Sequence, residues 1–252
     1  MRLDEYLALK GFFDSRTKAK HAILSGEVKI NGERASKPAK EITESENPDI
    51  VIEKAESFVS LGGYKLSKAL KDFNFSVSGK TVADIGSSTG GFTDCLLQNG
   101  AAKVYAVDLN KELLHESLVK SDKVVQVIKN AKNLTAKDLE GIDLITADLS
   151  FISAKVVLDV FYRLLPDNGK VILLIKPQFE MGERRNFKNG IIKDETVRKT
   201  AVFGVYNAAI DAGFSAIDMT TAPINKDKNI EFLILLSKNN KTTADFNSLY
   251  KF

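Results

Sequence analysis

From Thr81 to Leu236, short and nearly continuous apolar runs alternate with segments whose apolar residues return every three or four positions. The runs Thr81–Ile85, Lys103–Val107, Val124–Ile128, Ile142–Ala147, Lys170–Ile175, Phe214–Thr221 and Ile230–Leu236 predict strands. Thr89–Gln98, Lys111–Ser117, Ser153–Leu164 and Glu195–Ala212 predict helices between them. Strands that are apolar on both faces and separated by crossover helices form a parallel sheet covered on both sides. Only Pro223–Asn229 joins the last two runs, too short a link for a crossover helix, so that pair is expected as an antiparallel hairpin. The reading is an α/β fold with a seven-stranded, mostly parallel sheet and an antiparallel last strand.

The first part of the chain has another rhythm. Leu3, Tyr6, Leu7 and Phe12 or Phe13 recur at helical spacing. Asp14 or Ser15 can cap a second helix, and Gly26 can end it. Val28 and Ile30 then alternate with polar residues up to Asn31-Gly32, a strong hairpin signal, and Ile50 with Ile52 predicts a returning strand. This is a small α+β unit. Charge sharpens its boundary: residues 1–40 hold nine Lys/Arg and five Asp/Glu, whereas residues 41–56 hold one and six. A basic module is thus followed by an acidic connector, although the net charge of the 252 residues is only +3.

Composition narrows the chemistry. One cysteine, Cys95, and two histidines, His21 and His115, leave little material for a disulfide framework, a zinc site or a nucleophile–histidine triad, and no metal is expected. No apolar run approaches the ~20 residues that span a bilayer. Arg2, Asp4, Glu5 and Lys10 within the first ten residues do not suit a signal peptide, so the expectation is a cytoplasmic protein without a membrane partner.

In an open parallel sheet, ligands bind at the carboxyl ends of the strands, where the strand order switches. The first strand of the sheet runs into Asp84-Ile85-Gly86-Ser87-Ser88-Thr89-Gly90-Gly91-Phe92, and the second ends at Asp108. A dinucleotide fingerprint would need glycine where Ser88 stands, and a phosphate-binding P-loop would need a lysine. The remaining pattern, an acid followed by spaced glycines and a distal acid, suits S-adenosylmethionine. Asp84 is expected near its amino-acid moiety, the glycines Gly86, Gly90 and Gly91 under the sulfonium, and Asp108 on the ribose, with Ser87, Ser88 and Phe92 of the same loop also in contact with the cofactor. Leu109, Asn130 and Asp148 complete the expected cofactor set. Glycine-rich turns also serve packing alone, which is the competing explanation.

Three charged residues abut the apolar runs: Asp148 after Ile142–Ala147, Lys176 after Val171–Ile175, and Glu231 inside Ile230–Leu236. Such groups are rarely buried without partners. Lys65 lies in Leu61-Gly62-Gly63-Tyr64-Lys65-Leu66, at the start of a helix with Leu66, Ala69 and Leu70 inward. These stretches, together with the Asp84–Phe92 loop, Ala147-Asp148-Leu149-Ser150-Phe151-Ile152-Ser153, Ile175-Lys176-Pro177-Gln178-Phe179-Glu180 and Asn229-Ile230-Glu231-Phe232-Leu233, resemble the TlyA/hemolysin A family. The resemblance spans almost the whole chain. It implies an S4-type RNA-binding domain with its connector over 1–56, a linker and first catalytic helix over 57–80, and an FtsJ-like, Rossmann-like methyltransferase domain over 81–252. It further implies S-adenosylmethionine as cofactor, 2′-O-methylation of ribosomal RNA, characteristically on cytidine, and a Lys-Asp-Lys-Glu tetrad on Lys65, Asp148, Lys176 and Glu231. Relatives often carry arginine where this chain has Leu61, so one basic group of the linker is expected to be missing from the RNA surface.

The tetrad suits the chemistry. A ribose hydroxyl is a weak nucleophile, so positioning and proton removal supply the acceleration. A lysine, with a reference pKa of ~10.4, accepts a proton only as the amine. Lys176 is assigned as base or hydroxyl-orienting group, Lys65 as its neighbour and a phosphate contact, and Asp148 and Glu231 as groups that orient the two lysines. For RNA, Arg16, Lys18 and Lys20 on the second helix and Lys29 on the hairpin are candidate phosphate contacts. Arg184 and Arg185, with Lys188 and Lys193, form a second basic group after the Lys176 strand. The competing functions are a non-catalytic ribosome-assembly factor that keeps the fold, a directly membrane-lytic hemolysin and a nicotinamide dehydrogenase.

Overall fold

Asn31 and Gly32 take φ values of 51° and 82°, the pair of left-handed residues that a two-residue hairpin turn requires. They join β1 (Val28–Ile30) to β2 (Glu33–Arg34), and β3 (Ile50–Ile52) pairs antiparallel on the other side of β1. Ahead of this small sheet lie α1 (Leu3–Leu9) and α2 (Arg16–Leu24). Leu3, Tyr6, Leu7, Ala19, Ile23, Val28 and Ile30 form one buried apolar cluster. Helix α1 stops before the phenylalanines: Phe13 packs against the cluster from the following turn, while Phe12 is exposed. Ser15 caps α2, its Oγ accepting the Lys18 N–H at 3.2 Å.

The computed structural model describes the chain apart from residues 25–26, 44–47, 53–56, 182–186, 188–189, 224–227 and 241. Gly26 and the basic residues Arg184, Arg185 and Lys188 therefore lie outside the described residues. The chain divides into two compact units, Met1–Ser57 and Phe58–Phe252.

The second unit opens with α3 (Leu61–Asp72), followed by β4 (Thr81–Ile85), α4 (Gly91–Gln98), β5 (Lys103–Asp108), α5 (Glu116–Val119) and β6 (Val124–Ile128). Then come β7 (Leu144–Ala147), α6 (Leu158–Leu164), β8 (Lys170–Ile175), the one-turn α7 (Pro177–Glu180), α8 (Glu195–Asp211), β9 (Phe214–Thr221), β10 (Phe232–Lys238) and α9 (Phe246–Leu249). The sheet order is β6-β5-β4-β7-β8-β10-β9, with β6 through β8 parallel and β10 antiparallel to both its neighbours. The chain moves outward from β4 to β6, then returns to place β7 on the other side of β4. That reversal is the switch point at which such sheets open a ligand crevice. Alternate strand residues fill two apolar layers, one containing Ala83, Ile85, Val107, Ala147 and Leu173, the other Val82, Val104, Leu144, Ile172 and Leu174.

Several boundaries differ from the sequence reading. The expected helix Lys111–Ser117 breaks into a 3-10 turn, Lys111–Leu113, and α5, each capped from outside, by Asn110 and by His115. Ser153–Leu164 begins as a 3-10 turn over Ala154–Val157. Strand β7 starts at Leu144 rather than Ile142, α4 at Gly91 rather than Thr89, and β10 at Phe232 rather than Ile230. Glu231 thus precedes its strand, and its carbonyl accepts the Ala222 N–H at 2.9 Å.

Candidate active site

Gly86 follows β4 with φ 81°, and a Cβ there would stand 2.5 Å from the Asp148 carbonyl oxygen. The loop after β4 and the loop after β7 can touch only because this residue has no side chain. The Gly86 and Ser87 N–H groups both donate to the Val107 carbonyl, at 2.8 and 3.1 Å, and so bind the loop to β5. Ser88, at φ 47°, donates its N–H to Asp108 Oδ2 at 2.9 Å. Gly91 opens α4, where a Cβ would meet Ser60 Oγ at 2.2 Å and the Gly63 nitrogen at 2.9 Å. This close approach seats the start of α3, with Lys65, beside the cofactor loop. Gly90 faces elsewhere, against Leu114 and Leu118.

Two adjoining recesses flank this loop. The larger, about 380 Å³, has walls from Val107, Leu109, Ala131, Leu149 and Ile152, with Asp108 and Asn130 among its polar groups. The smaller, about 110 Å³, lies against Ser60, Gly62, Ser87, Thr89, Gly91 and Phe92. Gly86, Ser88 and Asp148 border both. Asp108 accepts the Ser88 N–H on Oδ2 and the Asn110 N–H, at 3.1 Å, on Oδ1. Each carboxylate oxygen has two acceptor positions, so one on each remains for a pair of ribose hydroxyls. Asn130 Oδ1 is held by the Lys132 N–H. The amino end of α4 borders the smaller recess, and the positive end of its dipole suits a carboxylate. An apolar slot for a heterocycle, a diol acceptor and a carboxylate-binding helix end together fit S-adenosylmethionine.

Asp84 differs from its expected place. Its side chain has no exposed surface and lines neither recess. Thr93 and Thr146 donate their hydroxyls to Oδ2 and Oδ1, at 2.6 and 3.3 Å. Burial pushes its pKa up to about 7; the Thr93 hydrogen bond opposes the shift and the nearby Asp148 charge adds to it.

The four charged residues arrive at one edge of the sheet by different routes. Asp148 and Lys176 follow the parallel strands β7 and β8. The register Phe232↔Ile175 sets Glu231, just ahead of antiparallel β10, beside Lys176. Lys65 comes from the first turns of α3. They form two ion pairs: Lys176 Nζ with Asp148 Oδ1 at 2.5 Å, and Lys65 Nζ with Glu231 Oε2 at 2.6 Å. The Lys176 ammonium stands at ion-pair distance from Oδ1 but off the hydrogen-bond direction, leaving that enclosed oxygen without an aligned donor. Its aligned bond goes to Ser150 Oγ at 2.7 Å. Lys176 and Asp148 remain 10% and 20% exposed, enough to meet a ligand yet too little for free hydration. Ser150 is not among the expected site residues, though its place two residues after Asp148 is the available signal. Thr93 and Thr146 carry no such signal, because their role depends on Asp84 being buried.

The expected phosphate contacts divide. Arg16 is half exposed, but its guanidinium is held by Asp4 at 3.3 Å and Glu5 at 2.6 Å. Lys18 pairs with Asp14 at 2.5 Å. Lys20 is exposed on α2, and Lys29 is half-buried on β1 with an interaction of its own. Among the described residues no group of His, Cys, Asp and Glu could hold a metal ion, and no helix is long and apolar enough to cross a membrane.

Comparison with known proteins adds the family. Residues 58–238 match the FtsJ-like methyltransferase model and residues 1–47 the S4 domain model. The chain is 39% identical over 237 residues to hemolysin A of Brachyspira hyodysenteriae, covering 92% of this chain and 98% of that protein. It is 34% identical over 238 residues to the 16S/23S rRNA (cytidine-2′-O)-methyltransferase TlyA of Mycobacterium tuberculosis, covering 93% and 89%. A solved structure from Streptococcus thermophilus, carrying a provisional hemolysin name, superposes with a TM-score of 0.72 at 35% identity over 99% of this chain and 94% of that one. With the cofactor loop and all four charged residues inside the matched region, the chain belongs to the TlyA/hemolysin A family, an S4 domain followed by an FtsJ-like, S-adenosylmethionine-dependent methyltransferase domain.

Proposed function

We propose that this protein methylates the 2′-hydroxyl of a cytidine in ribosomal RNA, acting on ribosomal subunits in the cytoplasm. The observation that carries the reading is the pair of lysine–carboxylate contacts at the switch-point edge, beside recesses that fit the cofactor. Bound S-adenosylmethionine would supply an activated methyl group. The chain must then hold a ribose oxygen in line and take its proton. Lys176 is assigned to both tasks: its nitrogen, fixed by Ser150 and Asp148, hydrogen-bonds the 2′-oxygen and, having first released its own proton to solvent, receives the hydroxyl proton as the amine. Lys65, held by Glu231, supports the adjoining phosphate. Asp108 and Asn130 orient the nucleoside part of the cofactor, with Leu109 on one wall, while Gly86, Ser87, Ser88, Gly91 and Phe92 shape the space toward the methyl. Asp84 supports the loop from beneath. Lys20 and Lys29 of the S4 domain give phosphate contacts that position the RNA.

The test is methyl transfer from labelled S-adenosylmethionine to purified ribosomal subunits, with the label mapped as an alkali-resistant ribose linkage. Lys176→Ala should lower turnover ~10²-fold while cofactor and RNA affinities change little. A protein that binds subunits and cofactor but transfers no label would be the non-catalytic assembly factor. A label on a base would remove the assignment to the 2′-oxygen.

A further inference from the structure

Glu180 is a carboxylate in the wrong place for a solvated surface residue. It is 6% exposed, at the end of α7, four residues beyond Lys176. Buried carboxylates persist when their oxygens meet donors. Here Ser153 Oγ donates to Oε2 at 2.5 Å and the buried Ala154 N–H donates to Oε1 at 2.8 Å. Both donors belong to the segment that follows Asp148. Burial raises the Glu180 pKa, and the bonds from Ser153 and Ala154 oppose that shift.

The two segments that carry the Lys176–Asp148 ion pair are therefore joined at both ends. At the sheet edge Lys176 Nζ meets Asp148 and Ser150. At the far end Glu180 grips Ser153 and Ala154. Between them the rings of Phe151 and Phe179 lie 5.3 Å apart, and Phe151 is held at φ 67°, a strained backbone conformation for an aromatic residue. Such a conformation survives where its surroundings over-determine it. The far-end grip supplies that determination, because the segment cannot relax around Phe151 without breaking the carboxylate hydrogen bonds.

We propose that Glu180 is a positioning residue for methyl transfer: through Ser153 and Ala154 it fixes the Asp148–Ser150 segment against Lys176, and so aims the lysine nitrogen at the attacking oxygen. This rests on the assignment of Lys176 above. The role is geometric. Two donors face the carboxylate directly, whereas the nearby Lys155 ammonium, whose charge also lowers the Glu180 pKa, donates to the backbone carbonyl of Glu180 at 3.4 Å. Glutamine can keep the arrangement, its carbonyl accepting from Ala154 and its amide donating to Ser153 Oγ, whereas alanine cannot.

The experiment measures kcat, KM for ribosomal subunits and calorimetric affinity for S-adenosylmethionine in the parent, Glu180→Ala, Glu180→Gln and Ser153→Ala proteins. Misplacement of a catalytic group by about an ångström costs ~10²-fold in rate. Glu180→Ala is expected to lose about that in kcat with KM and cofactor affinity within about threefold. Glu180→Gln should return to within about fivefold of the parent, and Ser153→Ala should fall between. If Glu180→Ala does not fold, Ser153→Ala against Glu180→Gln carries the test, because the former removes one donor without emptying the site. Parent-like kcat in every variant that folds overturns the proposal, as does a Gln variant as slow as Ala, which would make the charge the active property. Loss confined to KM or to cofactor affinity also overturns it. An inactive parent that still binds cofactor would instead refute the proposed function.

Discussion

Asp84 gives a stability prediction with a definite sign. The carboxyl has no exposed surface, and burial raises its pKa from 3.8 to about 7. In the unfolded chain the group ionises near 3.8; in the folded chain it keeps its proton until about pH 7. Between those values the native state binds more protons, so stability falls as pH rises through the window and levels off above it. A shift of that size at ~1.4 kcal/mol per pH unit amounts to about 4 kcal/mol at pH 8, on the order of a third or more of a typical domain's stability. Asp84→Asn removes the titration and keeps polar atoms for Thr93 and Thr146, with one hydroxyl reversing its role at a cost of ~1 kcal/mol. The variant should therefore match or slightly trail the parent at pH 4.5 and exceed it by ~2–4 kcal/mol at pH 8. Urea unfolding of both proteins at the two pH values measures this as a difference of differences, which cancels all other titrating groups. A parent-to-variant gap that is equal at pH 4.5 and pH 8 would show that Asp84 ionises as an ordinary carboxyl and that its burial has another compensation.

Asp108→Ala removes the remaining acceptors for the ribose hydroxyls and frees the Ser88 N–H, so affinity for S-adenosylmethionine should fall by ~1.5–3 kcal/mol in calorimetry; an unchanged constant places the ribose elsewhere. Alanine at Lys20 and Lys29 should weaken binding to ribosomal RNA and flatten its salt dependence by up to ~0.9 for each phosphate no longer neutralised, with cofactor affinity untouched. Arg16→Ala should act chiefly on the stability of the first unit, read as a lower melting temperature of that unit, because Asp4 and Glu5 already hold the guanidinium. Hydrogen bonding from Arg2, then from Arg16, lowers the Asp4 pKa from 3.8 to about 2. The stability it contributes should be intact above pH 4 and lost as pH falls through 2, and Asp4→Asn should abolish that acid limb in a pH titration of unfolding.

Much of this molecule is written in local pattern. Apolar runs without alternation mark β4, β5 and β8 because a strand buried on both faces has no polar side to show. Asn31-Gly32 marks its turn because few other residue pairs tolerate two positive φ values. The Gly86–Phe92 loop and the acids at 84 and 108 likewise mark a cofactor crevice, since a backbone that must approach a ligand dispenses with side chains. Local pattern fails where the deciding partner is distant in sequence. The Lys111–Ser117 pattern suggests one helix, but Asn110 and His115 cap two separate turns around the cofactor edge. Arg16 looks like a free cation until Asp4 and Glu5 are folded against it, and Asp84 looks like a ligand contact until the sheet closes over it. Above all, the insertion of β10 between β8 and β9 brings Glu231 beside Lys176. Periodicity determines that β10 is a strand; only the burial of its two faces in the assembled sheet determines its neighbours and register, and with them the pairing of the four charges.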